Sequence, residues 1–344
     1  MPSNNIKICK FAINMIKNAY FSDIGPIVEY MKSVPFDVSR NKLYSATELY
    51  EGYNPELPET YFSCYDQLTY KHYISENKLT NNIKESIART LHDQGIYVAI
   101  GEFFRVHNYL KCIGVMGGHA LLRTDEMYRQ IVFLSKQLTE QGFFMLSGGG
   151  PGAMEATHVG AWMAGRNNDE VEDALHILSA VPSFNKDNNN AWLSTAFKVI
   201  SKYPQTKFES LGIPTWLYGH EPSTPFATHI AKFFENSIRE NNILTLPFGG
   251  IIYTPGSAGT MHEIFRDAEQ NHYLSYGISS PMIFLGTKFW TEEMPAYPLL
   301  QQLSEKGKYK NLSLTLTDNS EVVKKQLIGF QDMAKAHPEA FNLY

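Results

Sequence analysis

The chain has 344 residues, of which 43% are hydrophobic and 19% are charged. These proportions predict a packed core rather than disorder, and the length suits one large or two ordinary domains. The net charge of -5 argues against a non-specific nucleic-acid-binding protein, because such proteins are normally basic.

Two further properties concern the cellular environment. Cys9, Cys64 and Cys112 are widely spaced and form no CxxC pair, so neither a disulfide framework nor a zinc site is expected, and a reducing compartment fits best. No apolar run reaches the roughly 18 residues of a membrane span. Lysines interrupt the N-terminal segment where a signal peptide would have its apolar centre. We therefore predict a cytoplasmic protein that binds neither membrane nor nucleic acid.

Residues 1–110 differ in character from the rest of the chain. They are rich in Tyr, Asn and Lys and contain helix-like segments such as NNIKESIARTLHDQG. The stretch SVPFDVSRNKLYSATELYEGYNPELPETY is rich in turn-forming residues, so we expect it to be largely irregular. This part contains no phosphate-loop motif. We predict a mainly helical N-terminal extension or small domain, and its sequence does not indicate a role.

From residue 111 to residue 344 the pattern becomes strand, glycine loop and helix. Strands are predicted for KCIGVMGG, FFMLSGGG, ALHILSAVPS, LGIPTWLYGHEP, GGIIYT, PMIFLGT and LSLTLTD. Helices are predicted for TDEMYRQIVFLSKQLTEQG with Thr124 as N-cap, for the residues after SGGGPG, for FATHIAKFFENSIREN and for the residues after PGSAG. Alternating strands and helices predict an α/β domain built on a doubly wound, mostly parallel, Rossmann-like sheet.

Three glycine-rich stretches each follow a predicted strand. The carboxyl ends of parallel strands lie at one edge of the sheet, so we expect the three loops to converge there. Small residues let a ligand approach the backbone, and a helix N-terminus offers free N–H groups to an anion. The predicted phosphate-binding residues are Gly117, Gly118, Gly148, Gly149, Gly150, Gly152, Gly256, Ser257, Ala258, Gly259 and Thr260.

The stretch SGGGPGAMEA is ambiguous when taken alone. It lacks the GK[ST] of a P-loop, and it fits the dinucleotide GxGxxG only loosely, with no clear ribose-binding acid at the expected distance. An isolated glycine loop is an ordinary tight strand-to-helix turn about as often as it is a ligand-binding loop. Glu155 is either a ligand contact or a first-turn acid that the helix dipole favours.

Several charged side chains are candidates for the same edge of the sheet. His220 and Glu221 follow a predicted strand, which favours a pocket over a polar loop. Arg123 follows the first glycine loop. It is either a contact to base or phosphate or else a surface cation, and His119 is likewise either a ligand contact or a surface residue. Glu263 reads as a first-turn residue of the helix after PGSAGT. An acid there would repel a phosphate, so its carboxylate must serve another group.

Two motifs carry a resemblance to a known family. GGGPGAMEATHVGA and PGSAGTMHE resemble the LOG family of Rossmann-fold nucleotide-binding proteins, often labelled lysine decarboxylase-like, whose signature is PGGxGTxxE. The signature falls on Pro255 to Glu263, with Ser257 in place of its second glycine. LGIPTWLYGHEPSTPFATHIAKFFENSIRE is similar to the bacterial purine/pyrimidine nucleotide nucleosidase branch. The resemblance spans roughly residues 111–318.

The resemblance implies which residues act. The family pairs the signature glutamate, here Glu263, with an arginine of the preceding helix, which in short members lies in an MHxRK motif. This chain lacks MHxRK, and Arg239 lies at nearly the equivalent distance before Glu263. Arg239 is therefore a candidate for the pair or else a solvated helix-end cation. His220 is a candidate donor to the leaving base.

The resemblance also implies an activity. It predicts a hydrolase that cleaves the N-glycosidic bond of a nucleoside 5′-monophosphate such as AMP, giving free base and ribose 5-phosphate. It implies no metal and no cofactor, and it predicts a homo-oligomer, a dimer or larger. One alternative is a nucleotide sensor with the same cradle and no turnover. An NAD-dependent oxidoreductase would rest on fold analogy alone.

Overall fold

The computed structural model describes residues 24–185 and 189–337. Its helices are α1 Gly25–Ser33, α2 Ala46–Leu49, α3 Tyr65–Ser75, α4 Ile83–Phe104, α5 Glu126–Glu140, α6 Ala153–Trp162, α7 Asn168–Ser179, α8 Asn189–Lys202, α9 Asn236–Thr245, α10 Ala258–Tyr273, α11 Ala296–Glu305 and α12 Ser320–Ala336. Short 3₁₀ turns cover Pro58–Ser63, Tyr109–Lys111 and Trp216–Tyr218, and a π turn covers Phe289–Glu293. None of the helices in these two ranges is long and apolar enough to cross a membrane.

Seven strands form one sheet in which every neighbouring pair is parallel. They are β1 Cys112–Met116, β2 Phe144–Ser147, β3 Ser210–Gly212, β4 His229–Ile230, β5 Gly250–Tyr253, β6 Pro281–Leu285 and β7 Ser313–Thr317. Their order is β4-β3-β2-β1-β5-β6-β7. The chain therefore winds outward from β1 in one direction and then in the other, which confirms the predicted doubly wound α/β fold.

Alternate residues of the strands build two separate hydrophobic cores. In β1, Cys112 and Met116 belong to one core, whereas Ile113 and Val115 belong to the other. The first core is covered by residues of the N-terminal region and of α9, α10 and α11, and the second by α5, α6, α7 and α12. Both faces of the sheet are buried, as a parallel sheet requires.

The N-terminal region is mainly helical and packs directly on the sheet. Tyr44 exchanges two backbone hydrogen bonds of 2.8 Å with Ile230, so an antiparallel bridge covers the edge of β4. The rings of Phe36 and Phe234 lie 4.6 Å apart, and those of Phe234 and Trp216 lie 4.4 Å apart. Residues 24–110 thus share one continuous aromatic core with the sheet domain.

Three of the predicted elements are wrong in whole or in part. LGIPTWLYGHEP is a strand only at Leu211 and Gly212, and it continues into the 3₁₀ turn Trp216–Tyr218. The segment ALHILSAVPS is not a strand, because its residues 174–179 belong to α7. That helix begins with a reciprocal capping box between Asn167 and Glu170, and it buries Val171, Ala174 and Leu178 at helical spacing. The segment FATHIAKFFENSIREN is helical only from residue 236, and its earlier part forms β4.

Two helix starts also differ in detail. Asp125, rather than Thr124, occupies the N-cap position of α5. Glu263 is the sixth residue of α10, so it lies in the second turn and not the first. This position moves the carboxylate about one helical turn away from the helix N-terminus.

Candidate functional site

The sheet reverses its direction of winding between β1 and β5. Ligands of doubly wound folds bind beyond the carboxyl ends of the strands at such a point. The loops that follow these two strands are joined by a hydrogen bond of 2.9 Å from Gly118 N–H to the carbonyl oxygen of Pro255. Two of the three predicted glycine loops therefore meet at this point.

The third loop, residues 148–152 after β2, joins them through close backbone contacts. The Ala153 N–H donates to Gly118 O at 3.1 Å. Gly152 has a φ of +69°, and a Cβ placed there would lie 2.4 Å from the same oxygen. At Gly117 and Gly256, a Cβ would come within 2.1 Å of a threonine hydroxyl. These three glycines allow the loops to pack on one another.

The start of α10 is exposed. Ser257, Ala258 and Gly259 are exposed, and the Ser257 side chain makes no capping hydrogen bond. No atom of the described chain lies within 4 Å of a Cβ built at Gly259, and its φ is not positive. The fold therefore does not require glycine at this position. The free N–H groups of the first turn, together with the helix dipole, are chemically suited to an anion.

Arg239 and Glu263 lie close together at the same crevice. Arg239, on α9, donates from Nε to Ile213 O at 2.9 Å, and its Nη2 would be 2.2 Å from a Cβ at Gly148. Its charge acts on Glu263 without a hydrogen bond joining the two described side chains. The arginine is thus fixed against two of the loops while its charge reaches the acid.

Burial is the main influence on the carboxyl group of Glu263. It raises the pKa of Glu263 to about 7, although Arg239 lowers that pKa; the charge of Glu240 raises it further. A group with this pKa gains and loses a proton near neutral pH, which suits general acid–base chemistry. No residue within the described ranges donates a hydrogen bond to this carboxyl group.

A second buried carboxyl group lies one turn further along α10. Asp267 accepts a hydrogen bond of 2.7 Å from the Tyr253 hydroxyl, and burial raises the pKa of Asp267 to about 7. Sequence reasoning missed Glu240, Tyr253 and Asp267. The spacing of Glu263 and Asp267 by four residues places both on one helix face, and this spacing could have identified Asp267.

His220 and Glu221 lie on the loop that follows β3. A carboxylate oxygen of Glu221 is 4.0 Å from His220 Nε2 and 3.9 Å from Nδ1 of His119, which follows β1. The other oxygen would be 3.7 Å from a Cβ at Gly150. The structure thus brings these two histidines and one acid together beside the third glycine loop.

Arg123 and Glu155 occupy a different environment from the other predicted residues. Their side chains are 1% and 0% exposed. Arg123 donates to both carboxylate oxygens of Glu155, and Tyr128 adds a third hydrogen bond of 2.8 Å. The guanidinium lies 4.5 Å from the ring centroid of Trp192. The pair is enclosed beneath the loops, and this geometry supports a structural role rather than direct ligand contact.

Other features do not add to the site. A surface cavity of about 530 Å³ lies along α10 and is lined by residues such as Phe265, Tyr273 and Tyr309, with none of the glycine loops. His158 is buried between Ser147 and Ser210, and burial lowers the pKa of His158 to about 3. Within residues 24–185 and 189–337, no group of three or more His, Cys, Asp or Glu is arranged to hold a metal ion.

Comparison with known proteins gives little beyond this geometry. No model of a known family matches the chain, and no curated protein matches it. Among solved structures, the chain is similar to the molybdenum cofactor binding protein from the phototrophic bacterium Rippkaea orientalis. The identity is 14% and the TM-score is 0.40, over 64% of this chain and 96% of that one. A similarity this low carries no argument, so the fold assignment rests on the strand order and the two cores.

Proposed function

We propose that the protein is a nucleoside 5′-monophosphate phosphoribohydrolase, which releases a free base and ribose 5-phosphate. One observation carries the proposal. The exposed start of α10 offers free N–H groups to a phosphate, and Glu263 lies one turn further along the same helix with its pKa raised to about 7. A phosphate site and a titratable acid on one helix match the two ends of a ribose 5-phosphate group.

The phosphate would be held mainly by backbone groups. The first turn of α10 supplies N–H groups and small side chains, and Arg239 adds positive charge nearby. Binding the phosphate fixes the sugar relative to Glu263. Such orientation can contribute several kcal/mol, on the order of 7 in favourable cases, to lowering the barrier.

Glu263 would act on the ribose. Breaking the bond between C1′ and the base nitrogen develops positive charge at C1′, which a carboxylate stabilises. Glu263 can also take a proton from the water whose oxygen bonds to C1′. The electron pair of the broken bond leaves with the base, which needs a proton in return. His220, His119 and Glu221 surround the position from which that proton could come.

The resemblance to the LOG family supports the same activity. It is also the basis for proposing an AMP-like substrate, a homo-oligomer and the pairing of Glu263 with Arg239. A cytoplasmic location is proposed from the cysteine pattern instead. The buried free thiols of Cys64 and Cys112 fit a reducing compartment. The absence of MHxRK favours the second candidate function, a nucleotide sensor that binds without turnover.

A panel of nucleoside monophosphates tests the proposal. We expect release of free base and ribose 5-phosphate from at least one nucleotide, and kcat/KM for AMP should exceed that for adenosine because adenosine lacks the anion that the loops hold. Tight nucleotide binding without product would identify the sensor. Equal kcat/KM for AMP and adenosine would show that phosphate binding by the glycine loops does not contribute to the reaction.

A further inference from the structure

A buried ion pair links the N-terminal region to the loop after β3, residues 213–228. Asp66 of α3 and Lys232 are both 0% exposed, and Lys232 Nζ lies 2.6 Å from Asp66 Oδ1. The same oxygen accepts a hydrogen bond of 3.0 Å from Trp216 Nε1. One carboxylate oxygen of the N-terminal region therefore holds Trp216, within the loop, and Lys232, just beyond it.

The link continues from this pair to the glycine loops. Lys232 Nζ donates to Ser223 Oγ at 3.0 Å, and the Tyr50 hydroxyl donates to Ser223 O. The next residue, Thr224, donates its N–H to Gly149 O at 2.8 Å. Hydrogen bonds at two adjacent residues, Ser223 and Thr224, thus connect α3 through the loop to the predicted phosphate cradle.

The N-terminal region also packs against the part of the loop next to His220. A Cβ at Gly219 would lie 2.4 Å from the ring of Tyr70, so this contact leaves no room for a side chain. Lys78 Nζ donates to Leu217 O at 2.8 Å. Two further N-terminal residues therefore hold the loop immediately before His220.

The energetics of the pair favour a positioning role. Two charges removed from water gain little net stability over apolar residues of similar volume, whereas they fix a geometry. Asp66 Oδ2 has no hydrogen-bond partner within the described ranges. The arrangement thus leaves one buried carboxylate oxygen uncompensated while Oδ1 organises both Lys232 and Trp216.

We infer that residues 24–110 form the support for the base side of the candidate site, and that Asp66 and Lys232 are positioning residues for the loop carrying His220 and Glu221. This inference rests on the proposed function, because it assigns the base to that loop and the phosphate to the glycine loops. It gives the N-terminal region a role that the sequence did not indicate.

Steady-state kinetics with two ligands separates this role from general stabilisation. Ribose 5-phosphate occupies the phosphate and sugar positions but lacks the base. We expect Asp66→Asn to raise KM for AMP by about tenfold or more, since small displacements of positioning groups have effects of this size. The inhibition constant of ribose 5-phosphate should stay within about twofold, because the first turn of α10, which would hold the phosphate, makes none of the contacts that the variant breaks.

Two further variants control for the loss of a buried charge partner and for general destabilisation. Asp66→Asn leaves the charge of Lys232 unpaired, so the double variant Asp66→Asn/Lys232→Met removes that charge while the introduced amide oxygen can still accept from Trp216. Glu140→Gln breaks an ion pair of α5, with Lys136 at 2.6 Å, on the face of the sheet opposite the N-terminal region. This control should change neither ligand constant. Equal changes for AMP and ribose 5-phosphate, or no change in the double variant, would overturn the inference.

Hydrogen exchange provides a measurement that does not depend on turnover. In the double variant, the amides of Trp216, Glu221 and Thr224 should exchange faster, whereas those of β1 should not. If no nucleotide is hydrolysed by the wild type, the proposed function fails, and this experiment still tests the support of the loop. Unchanged exchange at all three amides would show that the pair does not position it.

Discussion

The chain contains two neighbouring sets of arginine and glutamate whose surroundings are opposite. Arg123 and Glu155 are enclosed, and Glu155 accepts three hydrogen bonds from Arg123 and Tyr128. Glu263 is partly buried, receives no hydrogen bond from a described residue and interacts with Arg239 through charge alone. We call Arg123 and Glu155 the saturated pair, because both oxygens of the glutamate accept hydrogen bonds from the protein. Arg239 and Glu263 are the unsaturated set, because this glutamate accepts none from a described residue.

The difference between the two sets indicates how each is used. Both oxygens of Glu155 already accept from protein donors, and a buried pair of this kind fixes the elements that supply it. Glu263 retains both oxygens for a ligand, and its raised pKa shows that its charged form is poorly compensated. An acid without protein partners at a loop crevice is therefore the better candidate for chemistry.

The largest expected effect follows from removing the free acid. Glu263→Gln should lower turnover by about 10²- to 10⁴-fold while nucleotide affinity stays within about tenfold, because size is kept and only the acid–base function is lost. Single-turnover measurement of base release gives the rate, and titration gives the affinity. A folded variant with the wild-type rate would exclude Glu263 from catalysis.

The same variant has a stability signature that controls for misfolding. Burial raises the pKa of Glu263 above its ordinary value, so the folded state holds this proton more tightly and wild-type stability falls as pH rises from about 4.5 to about 7. Gln cannot ionise. Urea unfolding should therefore show little gain for Glu263→Gln at pH 4.5 and a gain of about 3 kcal/mol at pH 8. A loss at pH 8 would contradict the burial of this charge.

The saturated pair should respond in the opposite way. Arg123→Met leaves Glu155 buried without its cation, which we expect to lower the free energy of unfolding by about 3–5 kcal/mol. The folded fraction should bind AMP as the wild type does. Weaker AMP binding by correctly folded protein would instead indicate that Arg123 contacts the ligand.

Arg239→Met is the matched change at the unsaturated set. Arg239 makes one good hydrogen bond, to Ile213 O at 2.9 Å, so its loss should cost only about 1 kcal/mol of stability. Because the charge of Arg239 lowers the pKa of Glu263, its removal should move the pH midpoint of turnover to higher pH. An unchanged midpoint would separate the two side chains functionally.

Sequence patterns predicted the general architecture and the convergence of the loops for physical reasons. Strands such as GGIIYT are apolar on both faces, and glycines mark the carboxyl ends of several strands, so local chemistry indicates the edge of the sheet. The capping box of Asn167 and Glu170 was also a local signal, and overlooking it produced the wrong strand at ALHILSAVPS.

The difference between the two Arg–Glu sets could not be predicted from sequence. Arg123 is saturated by residues from separate helices, including Glu155, Thr195 and the backbone at Trp192. Likewise, the link from Asp66 to Lys232 joins positions 166 residues apart. Contacts over such separations depend on the tertiary fold, so sequence alone does not show that Arg123 and Glu155 are saturated by protein partners.

The smallest expected effect on stability concerns Gly259, which tests the anion surface beside Glu263. A Cβ added at Gly259 meets no atom within 4 Å beyond its chain neighbours and the backbone of its own helix, and the φ of Gly259 is not in the left-handed region. Gly259→Val should therefore change the free energy of unfolding by only about 0.5 kcal/mol. A bound phosphate would meet the new side chain. KM for AMP should therefore rise by about tenfold or more.

Gly329→Val supplies the matched control for this change. Gly329 lies in α12, is also exposed and also has no atom within 4 Å of an added Cβ. Both variants add the same side chain to an open helix position, so a difference in KM between them reports a ligand at the start of α10 and not helix propensity. Equal KM values would mean that no ligand approaches Gly259, and the unsaturated Glu263 would then lose the phosphate anchor that orients its substrate.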